Sequence, residues 1–157
     1  MGTRSLTKVI QTWEDKTGEI HSRPITCMYR QHDGHIETHG VELAKWLSGY
    51  TVVNGIPMDK SEPMFNGMDC LAAQMFVHFK AYGCKEDGTP VSKAGGIYCM
   101  HPDAYDIWEE YLYEIEEVDK EIFITISETV RGYDGMHTIF HGTPEELLTK
   151  IGENAEH

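Results

Sequence analysis

No stretch of this 157-residue chain approaches the roughly 18 consecutive apolar residues that a membrane-spanning helix requires, and residues 1–10 lack the apolar centre of a signal peptide. The sequence therefore predicts a soluble, cytoplasmic protein, lying in a host's cytoplasm if the chain is viral. Myristoylation calls for Ser or Thr where Leu6 stands, so the Met1-Gly2 start is not a lipidation signal. Basic residues are scarce, with 13 Lys plus Arg against 26 Asp plus Glu and a formal net charge of -13. Duplex nucleic acids are held chiefly by cations that neutralise phosphates, so this balance argues against duplex DNA or RNA as a partner. A small anionic ligand survives the objection, because two or three arginines in one pocket can hold it.

Cysteine is also sparse. Cys27, Cys70, Cys84 and Cys99 form no C-x-x-C pair, which fits reduced thiols better than a disulfide frame or a zinc ribbon. The phosphate-loop pattern G-x-x-x-x-G-K-[ST] is missing, and no repeat, low-complexity tract or Pro/Ser-rich linker divides the chain. A single domain spanning residues 1–157 follows, with no cofactor implied.

Hydrophobic patterning then supplies the elements. Leu6 to Trp13 and Ile20 to Gln31 read as two strands joined by the turn Asp15-Lys16-Thr17-Gly18. A polar loop from His32 to Gly40 leads into a short helix over Val41 to Leu47, ended by Ser48-Gly49. Val52-Val53 reads as a brief extended piece. The main helix is expected over Met68 to Tyr82, with Met68, Leu71, Ala72, Met75, Phe79 and Tyr82 as its core stripe. Its opposite side, Cys70, Ala73, Gln74 and Val77, is weakly polar and suits cover by the first helix, a ligand or a partner subunit. Lys85 to Lys93 reads as a polar loop. Gly95 to Met100, Tyr111 to Val118, Ile122 to Val130 and Met136 to Phe140 have strand composition, and turns at Asp119-Lys120 and Gly132 to Gly135 make the last three an antiparallel meander. Thr143-Pro144-Glu145-Glu146 is a capping box that opens a short C-terminal helix to about Ile151. The fold class is thus α+β, a mostly antiparallel sheet built from an N-terminal hairpin and a C-terminal meander, with the helices on one face.

Chemistry concentrates in Arg30-Gln31-His32-Asp33-Gly34-His35-Ile36-Glu37-Thr38-His39-Gly40. His32, His35 and His39 could supply three imidazoles to a metal, with Asp33 or Glu37 beside them, although their spacing matches no established zinc signature. Alternatively, Arg30 and Gln31 leave a strand end as a guanidinium fork and an amide, and help form a pocket. A second candidate is Phe65-Asn66-Gly67-Met68-Asp69-Cys70, at the expected start of the main helix. Amides at a helix start bind anions and lower a thiol's pKa. Cys70 could then act as a nucleophile with His39 as its base and Asp33 or Gln31 orienting the imidazole, an arrangement that Asp69 beside the thiol opposes. Trp46, Trp108, Tyr105, Tyr111 and Tyr113 would suit ring stacking or the core equally.

Taken together, Met1-Gly2-Thr3-Arg4-Ser5, Tyr29-Arg30-Gln31-x-Asp33-Gly34, His39-Gly40-x-Glu42-Leu43, Asn54-Gly55, Asn66-Gly67-Met68-x-Cys70-Leu71-Ala72-Ala73-Gln74 and Gly95-Gly96-Ile97-Tyr98 resemble a family of small, mostly uncharacterised proteins of bacteriophages and microbes. In that family the positions of His32 and His35 are often aromatic, which leaves His39 as the histidine that fits. A looser resemblance in kind is to phage proteins that sequester cyclic nucleotide signals of bacterial immunity. It suggests a nucleotide-binding protein without catalysis, which accords with what the residues permit: Arg4 and Arg30 for phosphates, and Gln31, Asp33, His39, Asn66 and Gln74 for polar edges, with the second face of the main helix as an oligomer or ligand surface. The pocket is expected between the N-terminus, the Arg30 to Gly40 loop and the start of the main helix. The rival readings are a hydrolase, using Cys70 with His39 or a metal on His32, His35 and His39, and a protein-interaction module with no small ligand.

Overall fold

A computed structural model describes residues 2–55, 63–93, 95–105, 108–129 and 135–155. The chain opens with β1 (Ser5–Glu14) and β2 (Ile20–Arg30), an antiparallel hairpin turned by Asp15 to Gly18. Asp15 makes that turn locally, since its carboxylate accepts from the amides of Thr17 and Glu19. A five-residue π-helix (Ile36–Gly40) runs directly into α1 (Val41–Leu47). Two short parallel strands, β3 (Thr51–Val53) and β4 (Met64–Asn66), precede α2 (Gly67–Lys80). A small hairpin of β5 (Ala81–Cys84) and β6 (Pro90–Ser92) leads to β7 (Ile97–Met100). Then come β8 (Tyr111–Val118), β9 (Glu121–Thr129), β10 (Met136–Gly142) and α3 (Pro144–Ala155).

The main sheet has six strands in the order β10-β9-β8-β1-β2-β7. The first hairpin sits in its middle, β8 to β10 form the expected meander on one side, and β7 adds an edge on the other. Only the β1–β8 pairing is parallel, so the sheet is mostly antiparallel and the class is α+β. One face carries Val9, Met28, Tyr113, Ile115, Ile124 and Ile126, all fully buried beneath the helices. Leu43, Ala44 and Leu47 of α1 and Leu71, Met75 and Phe79 of α2 close the same core. Among the described residues no helix is long and apolar enough to cross a membrane.

Four local expectations need correction. The main helix stops at Lys80, so Tyr82 lies on β5, 71% exposed, rather than on the core stripe. The segment read as a polar loop is a hairpin turned by Glu86 to Gly88, with Lys85 N–H donating to Thr89 O. That hairpin is almost entirely exposed, so hydrophobic alternation could not announce it. The C-terminal helix extends to Ala155 and is longer than α1. Of the covers expected for the far side of α2, the first helix is not one: Ala73 and Gln74 are exposed and Val77 is 65% exposed. The expected turn over 132–135 lies outside the described residues except for Gly135.

The capping box forms as its sequence requires: Glu146 N–H donates to Thr143 Oγ1, and Thr143 N–H donates to Glu146 Oε1. Because α3 packs through buried Leu147 on the core, fraying at this end reaches the sheet. Thr143→Ala is expected to cost about 1 kcal/mol of stability, read as a lowered urea midpoint at unchanged slope.

Candidate functional site

A polar cleft with a volume of about 310 Å³ opens where β2 ends. Arg30, His32 and Asp33 form one wall, and Glu42 enters from the first turn of α1. His78 and Phe79 come from the last turn of α2, while Lys93, Gly95, Gly96 and Ile97 close the side next to β7. Two local features shape the rim. Asp33 adopts a left-handed backbone (φ 62°), which a short polar side chain tolerates, and turns the chain out of β2. Gly34 follows because a Cβ there would lie 2.8 Å from Ser5 Oγ; nothing larger fits against β1. Tyr113 Oη, buried in the core, donates to Gly34 O at 2.8 Å and pins the loop.

Arg30 is the best-held group in the cleft, its side chain only 12% exposed. Its Nε–H donates to His32 O at 2.9 Å, and one terminal nitrogen, NH1, donates to Glu42 Oε2 at 2.6 Å and to His39 Nδ1 at 3.1 Å. The guanidinium carbon lies 6.0 Å from the centre of the Phe79 ring. The other terminal nitrogen, NH2, bonds to no group among the described residues. A guanidinium is always charged and only donates, so two N–H groups remain for an acceptor in the cleft.

The same logic fixes the state of His39. Arg30 can only donate, so Nδ1 is the acceptor and the ring proton sits on Nε2, which donates to Thr7 Oγ1 at 2.7 Å. His39 is fully buried, packed edge-on to Tyr113 and tilted against Phe79. Burial, reinforced by the Arg30 charge, pushes its pKa down to about 3. At neutral pH it is a neutral structural link with both nitrogens occupied, and it has no free position for a substrate proton.

The cleft does not gather all the expected ligand-binding residues: it lies at the end of α2, and the expected pocket lies at the start of that helix. Arg30, His32 and Asp33 line the cleft, and His39 is bonded to Arg30 from the core side. Gln31 is tied in by its backbone, its N–H donating to Gly96 O. Arg4 stands at the head of β1, where its carbonyl accepts from Glu110 and Tyr111, and its side chain does not line the cleft. Asn66 Oδ1 accepts from Gly55 N–H, and Gln74 is exposed on the side of α2. Both lie outside the cleft.

The proposed dyad of Cys70 and His39 does not form. His39 packs on Phe79, and Cys70 stands two and a half turns earlier on α2, on the order of 13 Å along the axis. Nor do the three histidines converge: His35 Nε2 is bonded to Thr38 Oγ1, His39 is committed on both sides, and only His32 reaches the cleft. Among the described residues, the one grouping with metal-like spacing is Asp15, Glu19 and His21 at the hairpin tip, where the Asp15 carboxylate is already occupied by Thr17, Glu19 and His21. Of the aromatic residues, Tyr113 is core, Trp46 packs on Phe65, His78 and Phe79, Tyr111 is half-buried, and Tyr105 and Trp108 are exposed.

Sequence reasoning missed His78, Phe79 and Lys93 as cleft residues, read Glu42 only as part of a resemblance, and took Gly95-Gly96 as a turn signal without placing it at a site. Gly95 and Gly96 both have positive φ, at 77° and 80°, so the doubled glycine was a usable signal of special backbone. A second hollow of about 350 Å³ lies among Ile126, Ile139, Phe140 and Leu147; it is apolar and contains none of the expected ligand-binding residues. Compared with protein-family models, with characterised proteins and with solved structures, the chain matches none.

The buried histidine makes acid the weak point of this site. Unfolded, His39 takes up a proton near pH 6.5; folded, it does so only near pH 3. Stability is therefore greatest above pH 6.5 and falls as the pH drops through this window, by up to about 1.4 kcal/mol per unit. Denaturant titrations at pH 7 and pH 5 are expected to differ by on the order of 2 kcal/mol, with the pH 5 protein the weaker.

Proposed function

We propose that the cleft binds a nucleotide-sized phosphorylated anion and holds it without cleaving it. The observation that carries this reading is the uncommitted end of Arg30: a guanidinium positioned by three polar contacts and an aromatic face, with two N–H groups left for a ligand. Preorganised donors of this kind give charge-assisted, bidentate recognition of phosphate or carboxylate. Lys93 adds a second cation to the lining, His32 and His78 stand beside it, and Phe79 and Ile97 are its apolar members. A volume of about 310 Å³ falls at the lower end of small-molecule sites, which run to roughly 1,000 Å³. The occupied nitrogens of His39 and the distance of Cys70 favour a binder over a cysteine hydrolase. Within the phage context implied by the resemblance, holding a nucleotide intact amounts to sequestering it.

Thermal shift against mono-, di- and cyclic nucleotides, with pyrophosphate alongside, tests the reading. A ligand at about 100 times its dissociation constant adds roughly 2.7 kcal/mol, a rise on the order of 5 to 10 °C at this size. The ligand should be recovered chemically unchanged. Lys93→Ala is expected to weaken binding up to about fivefold, as for one partly solvated charge, with the melting temperature of the free protein unchanged. A flat panel across all these phosphates sinks the assignment, and recovery of a hydrolysed nucleotide replaces it with an enzymatic one.

A further inference from the structure

The contact between Arg30 and Glu42 does more than hold the arginine. Glu42 Oε2 sits 2.6 Å from Arg30 NH1, and its side chain is 45% exposed at the mouth of the cleft, on the second residue of a seven-residue helix. Arg30 does not depend on it for position. The His32 carbonyl, the His39 ring and the Phe79 face hold the guanidinium from other sides, and the supporting His39 is itself held by Thr7. Glu42 thus places a carboxylate where an anionic ligand would bind, on a group that stays in place when that carboxylate leaves. Resting on the nucleotide reading above, we infer that Glu42 is an internal stand-in for the ligand's anionic group, and that a terminal phosphate displaces it.

The ligand class follows from the competition. Glu42 offers Arg30 one negative charge from a tether, which keeps its effective concentration in the millimolar range or above. A ligand group with a single charge repeats what Glu42 already supplies and must also expel it. A terminal phosphate brings close to two charges and three acceptor oxygens at neutral pH, enough to reach NH1 and the uncommitted NH2 together. Lys93 and His78 line the same cleft as Glu42, whose side chain is 45% exposed, so a carboxylate released from Arg30 can turn to solvent. Asp33, the other acid of the cleft, bonds to no part of Arg30, so Glu42 alone sets this threshold. The cost of expelling Glu42 is common to every anion that takes NH1, and the second charge of a phosphomonoester outweighs it further, so the cleft favours phosphomonoesters over phosphodiesters of the same base, the cyclic nucleotides of the looser resemblance included.

The experiment measures binding of adenosine 5′-monophosphate and of adenosine 3′,5′-cyclic monophosphate, a monoester and a diester of one nucleoside, to the full chain and to Glu42→Gln. Inorganic pyrophosphate serves as a probe that needs no base. Glu42→Gln is expected to tighten the monoester, the diester and pyrophosphate alike, by roughly threefold to tenfold, because each must expel the same carboxylate, and the preference for the monoester persists. Glu42→Ala should act in the same direction, and melting curves of both free variants report whether they fold. If the wild-type chain binds a nucleotide but neither variant binds more tightly, Glu42 is a structural partner of Arg30 and this inference fails while the nucleotide reading stands. If neither the wild type nor the variants bind any of the three probes, the nucleotide reading fails and carries this one with it. Binding by the variants alone supports both, with Glu42 as the barrier.

Discussion

A line of hydrogen bonds from Thr7 through His39 and Arg30 to Glu42 joins β1, the π-helix, β2 and α1. Its centre is the least tolerant part of the molecule, because a buried imidazole must have both nitrogens satisfied or pay the cost of desolvation. Thr7 and Arg30 meet that requirement from adjacent strands. Once they do, the tautomer of His39 is fixed, and so is the orientation of the guanidinium above it. The π-helix contributes here: its extra residue per turn lets Gly40 and His39 both face inward before α1 begins, and both are fully enclosed.

The cleft depends on that line in a specific way. Most arginines lose considerable side-chain freedom when they grip a ligand, and that loss weakens binding. Here the loss has already been met by the fold, through His32, His39 and Phe79, so the free end of the guanidinium is a rigid donor pair. Glu42 shows the other side of the same arrangement, since a preorganised cation near an acidic surface attracts the nearest carboxylate. With a formal net charge of -13, this chain has many candidates, and the one on the first turn of α1 reaches it. Long-range attraction of anions is weak for such a protein, so affinity at this site has to come from short-range geometry.

Elements whose causes lie within a few residues were readable directly. Asp15 to Gly18 turns the first hairpin through the Asp15 carboxylate, the alternation of Tyr113, Ile115, Ile124 and Ile126 builds the meander, and Thr143 with Glu146 caps the last helix. The β5–β6 hairpin escaped because it buries almost nothing, leaving no periodicity to detect. Part of the site was legible for a similar reason. Arg30, Asp33 and Gly34 are a strand end followed by a loop, and the guanidinium fork beside a left-handed turn is a local pattern. Glu42, His78 and Lys93 carried no such mark, since acidic, imidazole and ammonium groups on helix ends and loops are commonplace.

Sequence by itself determined the class of the protein, its strands and caps, and the presence of an arginine with polar neighbours at the end of β2. Those features follow from hydrophobic period, turn chemistry and side-chain type, which act over a handful of residues. Tertiary structure alone decided which groups meet that arginine. The pairing of Arg30 with Ile97 brings the Gly95-Gly96 segment to the cleft, the packing of Phe79 on His39 selects the end of α2 over its start, and the bond to Thr7 turns a candidate catalytic base into a buried link. Each of these joins residues far apart in the chain, and is set by strand register and core packing that no local pattern encodes.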